Sequence, residues 1–166
     1  MGWWSNFERA EIARDFDRIA AAGLDCVRVF LLWEDFQPSP HEVDREMLER
    51  LGVVADLAGK HGLALIPTLF TGHMSGVNWI PRWALGGAYG DARFRVVARD
   101  EVVEAGLRNW YDDPSIEAAQ TLLATEAAAA LAGHEAVWAW DLGNESSNCV
   151  VPPSTDAGRK WLASLS

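Results

Sequence analysis

Apolar positions along the chain alternate between two rhythms. Phe7, Ile12, Phe16 and Ile19 recur at helical spacing, and Gly23 ends that run. Ser5 and Glu8 ahead of it form a capping-box pattern, which predicts a helix opening at Ser5. "LDCVRVFLLW" (24–33) is short, apolar and β-branched, so it predicts a buried strand. "QPSPHEVD" is a loop. Asp44 is placed to cap a second helix with Met47, Leu48, Leu51, Val54 and Leu57 along one side, stopped by Gly62. "LALIPTLF" (63–70) predicts a second strand, with Pro67 unusual for a central one. A long connection fills 71–112, with a helical stretch expected near Asp100–Leu107; so long a connection is usually functional. Asp113-Pro114 caps and opens an Ala-rich helix that runs to Leu131. Gly133 ends it, "VWAWDL" (137–142) predicts the third strand, and Thr155 opens a last helix.

The predicted order is α-β-α-β-α-β-α. Strands separated by helices imply right-handed crossovers and a parallel sheet. The expectation is therefore three parallel strands in sequential order. A chain that starts and stops on a helix also suggests that neighbouring elements belong on both sides.

Composition narrows the function classes. With 166 residues, 49% of them apolar, the chain can bury a real core. No apolar run approaches a membrane span, and "MGWWSNFERAEI" lacks the basic start and apolar core of a secretory signal. A net charge of −10 argues against nucleic acid and against an anionic membrane as partners. Two cysteines, Cys26 and Cys149, do not make a disulfide framework, and Cys26 reads as a small core residue. The four histidines show no metal-binding spacing, so a dedicated metal site is not expected. Nine tryptophans serve either a packed core or stacking on flat ligands such as sugar faces.

The candidate chemistry lies at strand ends. Val27, Val29 and Leu31 share one face of the first strand, so Arg28 points the other way. A guanidinium there needs acceptors. Either it orients a functional carboxylate, or it makes a structural ion pair, with Asp141 as a partner. Asp141 shares a face with Val137 and Ala139, which leaves Trp138 and Trp140 for the core. Glu34 and Asp35 end the first strand as solvated or helix-capping residues. His73, Asn78 and Trp79 follow the second strand, where a sugar hydroxyl or ring could be held; Trp33 and Trp83 carry the same alternatives of stacking or packing. Asn144-Glu145 is either a loop pair or a functional one.

"CVRVFLLWEDFQP", "LIPTLFTGHMSGVNW" and "VWAWDLGNE" together resemble strands two, three and four of the clan A glycoside hydrolases, most nearly family 5 enzymes of the cellulase and mannanase kind. The resemblance covers nearly the whole chain. It implies a partial TIM (β/α)8 barrel, about strands two to four with their helices, with residues 1–166 forming one incomplete barrel domain. It also implies a retaining glycosidase acting on β-linked glycosides or polysaccharides without a cofactor. Glu145 would be its acid/base and Asn144 its substrate contact, with Arg28 and His73 at matching places; apart from the resemblance, Trp33 and Trp79 are the candidates for further sugar contacts. The nucleophilic glutamate of the family follows strand seven and is expected outside this chain. Such an enzyme uses two carboxyl groups, one of which must hold its proton near neutral pH. The alternative is a noncatalytic carbohydrate-binding or assembly module, self-associating through open sheet edges.

Overall fold

A computed structural model describes residues 3–86 and 94–165. Its elements are α1 (Arg9–Ala21), β1 (Cys26–Phe30), α2 (Trp33–Phe36), α3 (Arg45–Lys60), β2 (Ala64–Met74), β3 (Val77–Trp79), β4 (Arg95–Ala98), β5 (Glu101–Val103), α4 (Pro114–Ala130), β6 (Asp141–Asn144) and α5 (Thr155–Ser164). β2 is the axis. β1 runs parallel along one side of it, from Cys26 opposite Ala64 to Phe30 opposite Thr68. β6 runs parallel along the other, with Asp141 opposite Thr68 and Gly143 opposite Phe70. The three expected parallel strands are present in sequential order, each with a helix after it, as in a partial TIM barrel.

The helices follow their signals. Asp44 accepts the Met47 amide at 3.1 Å and caps α3. Asp113 accepts the amides of Ser115 and Ile116 at the start of α4, with Pro114 just inside. Helices α1 and α3 lay Ile12, Phe16, Leu51, Val54 and Leu57 in the core, each 3% exposed or less. A second aromatic layer gathers around Trp33, whose ring centroid lies 5.0 Å from Phe70, 5.3 Å from Trp83 and 5.8 Å from Trp110.

Five expectations need correction. α1 opens at Arg9 behind Glu8, with no side-chain cap, so the Ser5–Glu8 box does not start the helix. The first strand ends at Phe30, and Trp33 begins the short α2, because an apolar run alone does not separate strand from helix. The second strand continues to Met74 and carries His73 within it. The stretch near Asp100–Leu107 is not helical. Met74 and Val77 close one hairpin across Ser75-Gly76, and Ala98 and Glu101 close another across Arg99-Asp100. All four turn residues have positive φ, the geometry that matches the twist of paired strands. The third strand touches β2 at Val137 and is regular only over Asp141–Asn144. Its pairing slips by one residue between those points, and Trp138 is 71% exposed instead of buried. Trp140 does pack against the core.

Candidate active site

Arg28 organises the inner face of the sheet. Its Nε donates to Asp141 Oδ2 at 2.9 Å and to Thr68 Oγ1 at 3.0 Å, and its Nη2 donates to the same Asp141 oxygen. The Thr68 hydroxyl in turn donates to Asp141 at 2.8 Å. Nη1 donates to Asn144 Oδ1 at 3.1 Å, and the guanidinium lies 4.5 Å over the Phe30 ring. The ion pair with Asp141 is therefore formed, and the same guanidinium also orients Asn144. Three strands supply these groups, so the cluster exists only when the sheet is assembled.

Asn144 is held at both ends of its amide. Oδ1 accepts from Arg28, while Nδ2 donates to the His73 carbonyl of β2. That reach requires a close approach between strands. A Cβ on Gly72 would stand 2.8 Å from the Asn144 carbonyl oxygen, and one on Gly143 would stand 2.7 Å from that of Phe70. Gly72 also has φ +65, so the irregular pairing beside it depends on glycine.

Glu145 leaves the strand in the left-handed region, at φ 49 and ψ 42. Its side chain is 58% exposed. Oε2 accepts from Asn148 Nδ2 at 2.8 Å and lies 3.9 Å from His73 Nε2. His73 is buried against the Phe94 ring and meets Asn78 Oδ1 through Nδ1 at 2.8 Å. Asn78, fully buried, also takes the Cys149 thiol at 3.3 Å on that oxygen and gives its Nδ2 to the Asn148 carbonyl at 3.4 Å. Burial and the nearby Glu145 carboxylate push the Cys149 thiol up to about 12, so it stays a thiol at neutral pH.

His73, Asn144 and Glu145 thus come together at the C-terminal ends of β2 and β6, and Arg28, midway along β1, joins them through its hydrogen bond to Asn144. Trp33 and Trp79 stand elsewhere. Trp33 is 1% exposed, and its indole N–H donates to Gln37 Oε1 at 2.7 Å, so it is core. Trp79 is half-buried, donates to the Met74 carbonyl at 3.1 Å, and lines a cavity of about 60 Å³ with Trp33, Glu34, Asp35 and Asp100. None of the four clustered residues borders that cavity. Of the two expectations for Glu34, solvation fails and a capping contact holds: its carboxylate accepts the amide of Arg82, which opens a short 3-10 turn (Arg82–Ala84), at 3.0 Å, and that of Arg99 at 2.6 Å, pinning the β4–β5 hairpin to α2. Burial, then the charges of Asp100 and Glu34, raise the Asp35 carboxyl above its usual range.

Sequence reasoning missed Thr68 and Asn148. Thr68 had a signal, since it alternates with Pro67 and Leu69 on a strand; Asn148 had none beyond its place three residues after Glu145. Among the described residues, no three His, Cys, Asp or Glu side chains gather as a metal-binding group.

No protein-family model matches the chain. It is 28% identical over 167 aligned residues to a putative mannan endo-1,4-β-mannosidase from Oryza sativa subsp. japonica, covering 95% of this chain and 32% of that protein. Among solved structures, a GH5_18 protein from Bifidobacterium longum subsp. infantis superposes with a TM-score of 0.80 at 25% identity, over 98% of this chain and 36% of that one. A glutamate-to-alanine GH5_18 variant from Streptomyces cattleya, in complex with Manβ1-4GlcNAc, matches at 0.79 and 26% identity, over 98% of this chain and 37% of that one. An exo-β-1,4-mannosidase from Opitutaceae bacterium strain TAV5 matches at 0.77 and 28% identity, over 99% of this chain and 26% of that one. The chain spans about a third or less of the length of these relatives.

Proposed function

We propose, from the premise that the chain is a partial barrel of the clan A glycoside hydrolases with family 5 enzymes as its neighbours, that Glu145 is the acid/base of a retaining β-glycosidase. The observation that carries the reading is the Asn144–Glu145 corner. Asn144 is locked by Arg28 and His73, and Glu145 turns out of the strand beside it with its carboxyl open to solvent. Asn144 Nδ2 has a second hydrogen left for a sugar hydroxyl, a contact that strengthens as charge develops at the sugar carbon. His73 Nε2 lies 3.9 Å from the same carboxyl. Trp33 and Trp79 have no part in this reading, since they border a different cavity.

The chemistry is double displacement. Glu145 protonates the departing glycosidic oxygen while a second carboxylate, about 5 to 5.5 Å away, attacks the sugar carbon. Glu145 then takes a proton from the water that releases the sugar. The second carboxylate comes from chain beyond these 166 residues. β-Mannosides are the favoured substrates, because the similar proteins are named as β-mannosidases and one holds Manβ1-4GlcNAc.

The test uses the full-length protein. Glu145→Gln keeps the shape but cannot move the proton, so turnover of unactivated β-mannosides should fall about 100-fold to 10,000-fold. An activated aryl glycoside needs little protonation, so its first step should survive, and azide should rescue the second. Unchanged turnover of unactivated glycosides in a folded variant would sink the assignment.

A second reading rests on the outer edges of β1 and β6, which are unpaired among the described residues. It makes the segment a noncatalytic sugar-binding or self-assembling module. Retention of β-manno-oligosaccharides without turnover, or concentration-dependent self-association, would favour it.

A further inference from the structure

Two asparagines around Glu145 are assigned no task by the site as described. Asn78 is the more constrained. Its Nδ2 faces the Asn148 backbone carbonyl, which can only accept, so its Oδ1 is the atom turned toward His73 and Cys149. The Cys149 thiol, protonated at neutral pH, supplies one hydrogen to Oδ1. His73 Nδ1 must therefore carry a proton to meet the same oxygen at 2.8 Å. In the neutral ring that leaves the lone pair on Nε2, the nitrogen 3.9 Å from Glu145 Oε2. On the other side, Asn148 Nδ2 presents a hydrogen to the same carboxylate oxygen at 2.8 Å.

We infer that Asn78 and Asn148 are positioning residues that give the Glu145 carboxyl two partners of opposite sense, a bare imidazole nitrogen and an amide donor. This rests on the acid/base reading above. The imidazole lone pair favours the protonated carboxyl needed for leaving-group protonation; the amide favours the carboxylate needed to activate water. Neither asparagine touches substrate. Asn78 acts through His73, and Asn148 acts on the orientation and charge of Glu145. Among the described residues, the charged or titratable groups around the corner are His73 on β2, Cys149 on the turn after β6, Tyr111 beside Cys149 and Ser146, and Arg28 with Asp141 behind Asn144.

The opposition makes the inference testable, because a purely structural role would move both variants the same way. In the full-length enzyme, the alkaline limb of the kcat/KM profile reports loss of the acid's proton. Asn148→Ala removes a donor to the carboxylate, so the limb should move to higher pH, and Asn148→Asp should move it further. Asn78→Ala frees His73 to carry its proton on Nε2, so the limb should move to lower pH. One hydrogen bond corresponds to about a five-fold change in rate on that limb, with KM nearly unchanged. ¹⁵N NMR of His73 in the unaltered enzyme provides a readout that needs no variant: Nδ1 should bear the hydrogen and Nε2 should not. An active enzyme with the proton on Nε2 alone overturns the inference, as do Asn78→Ala and Asn148→Ala profiles that shift in the same direction. A full-length protein without glycosidase activity overturns the hydrolase reading, and this inference with it.

Discussion

Removing the guanidinium from the inner face of the sheet should have a cost that splits between stability and activity. Arg28→Met keeps an unbranched stem over Phe30 and deletes the charge. Among the described residues, Asp141 would keep only the Thr68 hydroxyl at 2.8 Å as a side-chain donor. Breaking a fully buried ion pair costs about 3 to 5 kcal/mol, and an exposed pair is worth about 0 to 1 kcal/mol. The Arg28 and Asp141 side chains are 38% and 31% exposed, so solvent screens part of the loss. The expected destabilisation is about 2 kcal/mol. Asn144 also loses the donor on Oδ1 and keeps one anchor at the His73 carbonyl, so its amide can rotate. Under the proposed role of Asn144 as a sugar contact, that rotation should lower kcat/KM about ten-fold. Arg28→Lys restores a charge but not a fork that reaches Asp141 and Asn144 together, so stability should recover more than activity. Denaturant unfolding and steady-state kinetics on the full-length protein separate the two effects. Arg28→Met combined with Asp141→Asn should cost well under the sum of the single losses. Additivity within about 0.5 kcal/mol would show that the two residues do not act as a pair, and would refute the reasoning.

Further outcomes test the close strand approach at the corner and the helix cap at Asp113. Gly143→Ala and Gly72→Ala place a Cβ 2.7 and 2.8 Å from backbone oxygens of the neighbouring strand, so each should lower unfolding free energy by at least about 2 kcal/mol. Gly23→Ala, with φ +79 but nothing within 4 Å, should cost only about 1 kcal/mol in the same denaturation assay. Asp113 gives a pH signature: burial opposes its charge, but the Ser115 hydroxyl and amide and the Arg108 guanidinium outweigh it and hold its carboxyl below the usual range. Its folded value lies below its unfolded one, so its contribution is complete above about pH 4 and lost as pH falls through the folded value. Unfolding midpoints followed into acid should fall less steeply in Asp113→Asn than in the unaltered protein.

The helices and the parallel order of the main strands were legible because periodicity and caps are local. Asp44, Asp113-Pro114 and the Leu51–Val54–Leu57 stripe each act within a few residues of themselves. Arg28 was legible for a related reason: a charge alternating with Val27 and Val29 has one place to go. What escaped were features set by contacts across the sheet. The two hairpins hinge on Ser75-Gly76 and Arg99-Asp100, and the second pair has no glycine to announce positive φ. Glu and Ala in "DEVVEAGL" favour a helix, yet strand pairing with β4 prevails. Trp33 looked available for a sugar because it follows a strand, but the turn into α2 swings it into the core. Trp138 was placed in the core by strict alternation, and the one-residue slip against β2 breaks that alternation before Asp141.

That slip and the left-handed residue after it belong together. A strand that continued regularly past Asn144 would carry the next side chain to the opposite face from Asn144, toward the helices. A positive φ at a residue with a Cβ costs about 1 to 2 kcal/mol, and glutamate has no local hydrogen bond that offsets it as asparagine can. The surrounding contacts therefore determine the conformation. Asn144 is tied on both sides, Gly143 and Gly72 let the strands close to contact, and the Asn148 amide returns to the Glu145 carbonyl at 2.8 Å in the following turn. Under those constraints the chain bends at Glu145, and the bend leaves its carboxyl beside His73, on the Asn144 side of the sheet. A glycine or asparagine would relax the backbone there, and neither can serve as a general acid. These contacts hold the strained backbone at Glu145, and under the acid/base role proposed above they keep a carboxyl where a glycine or asparagine would make the easier turn.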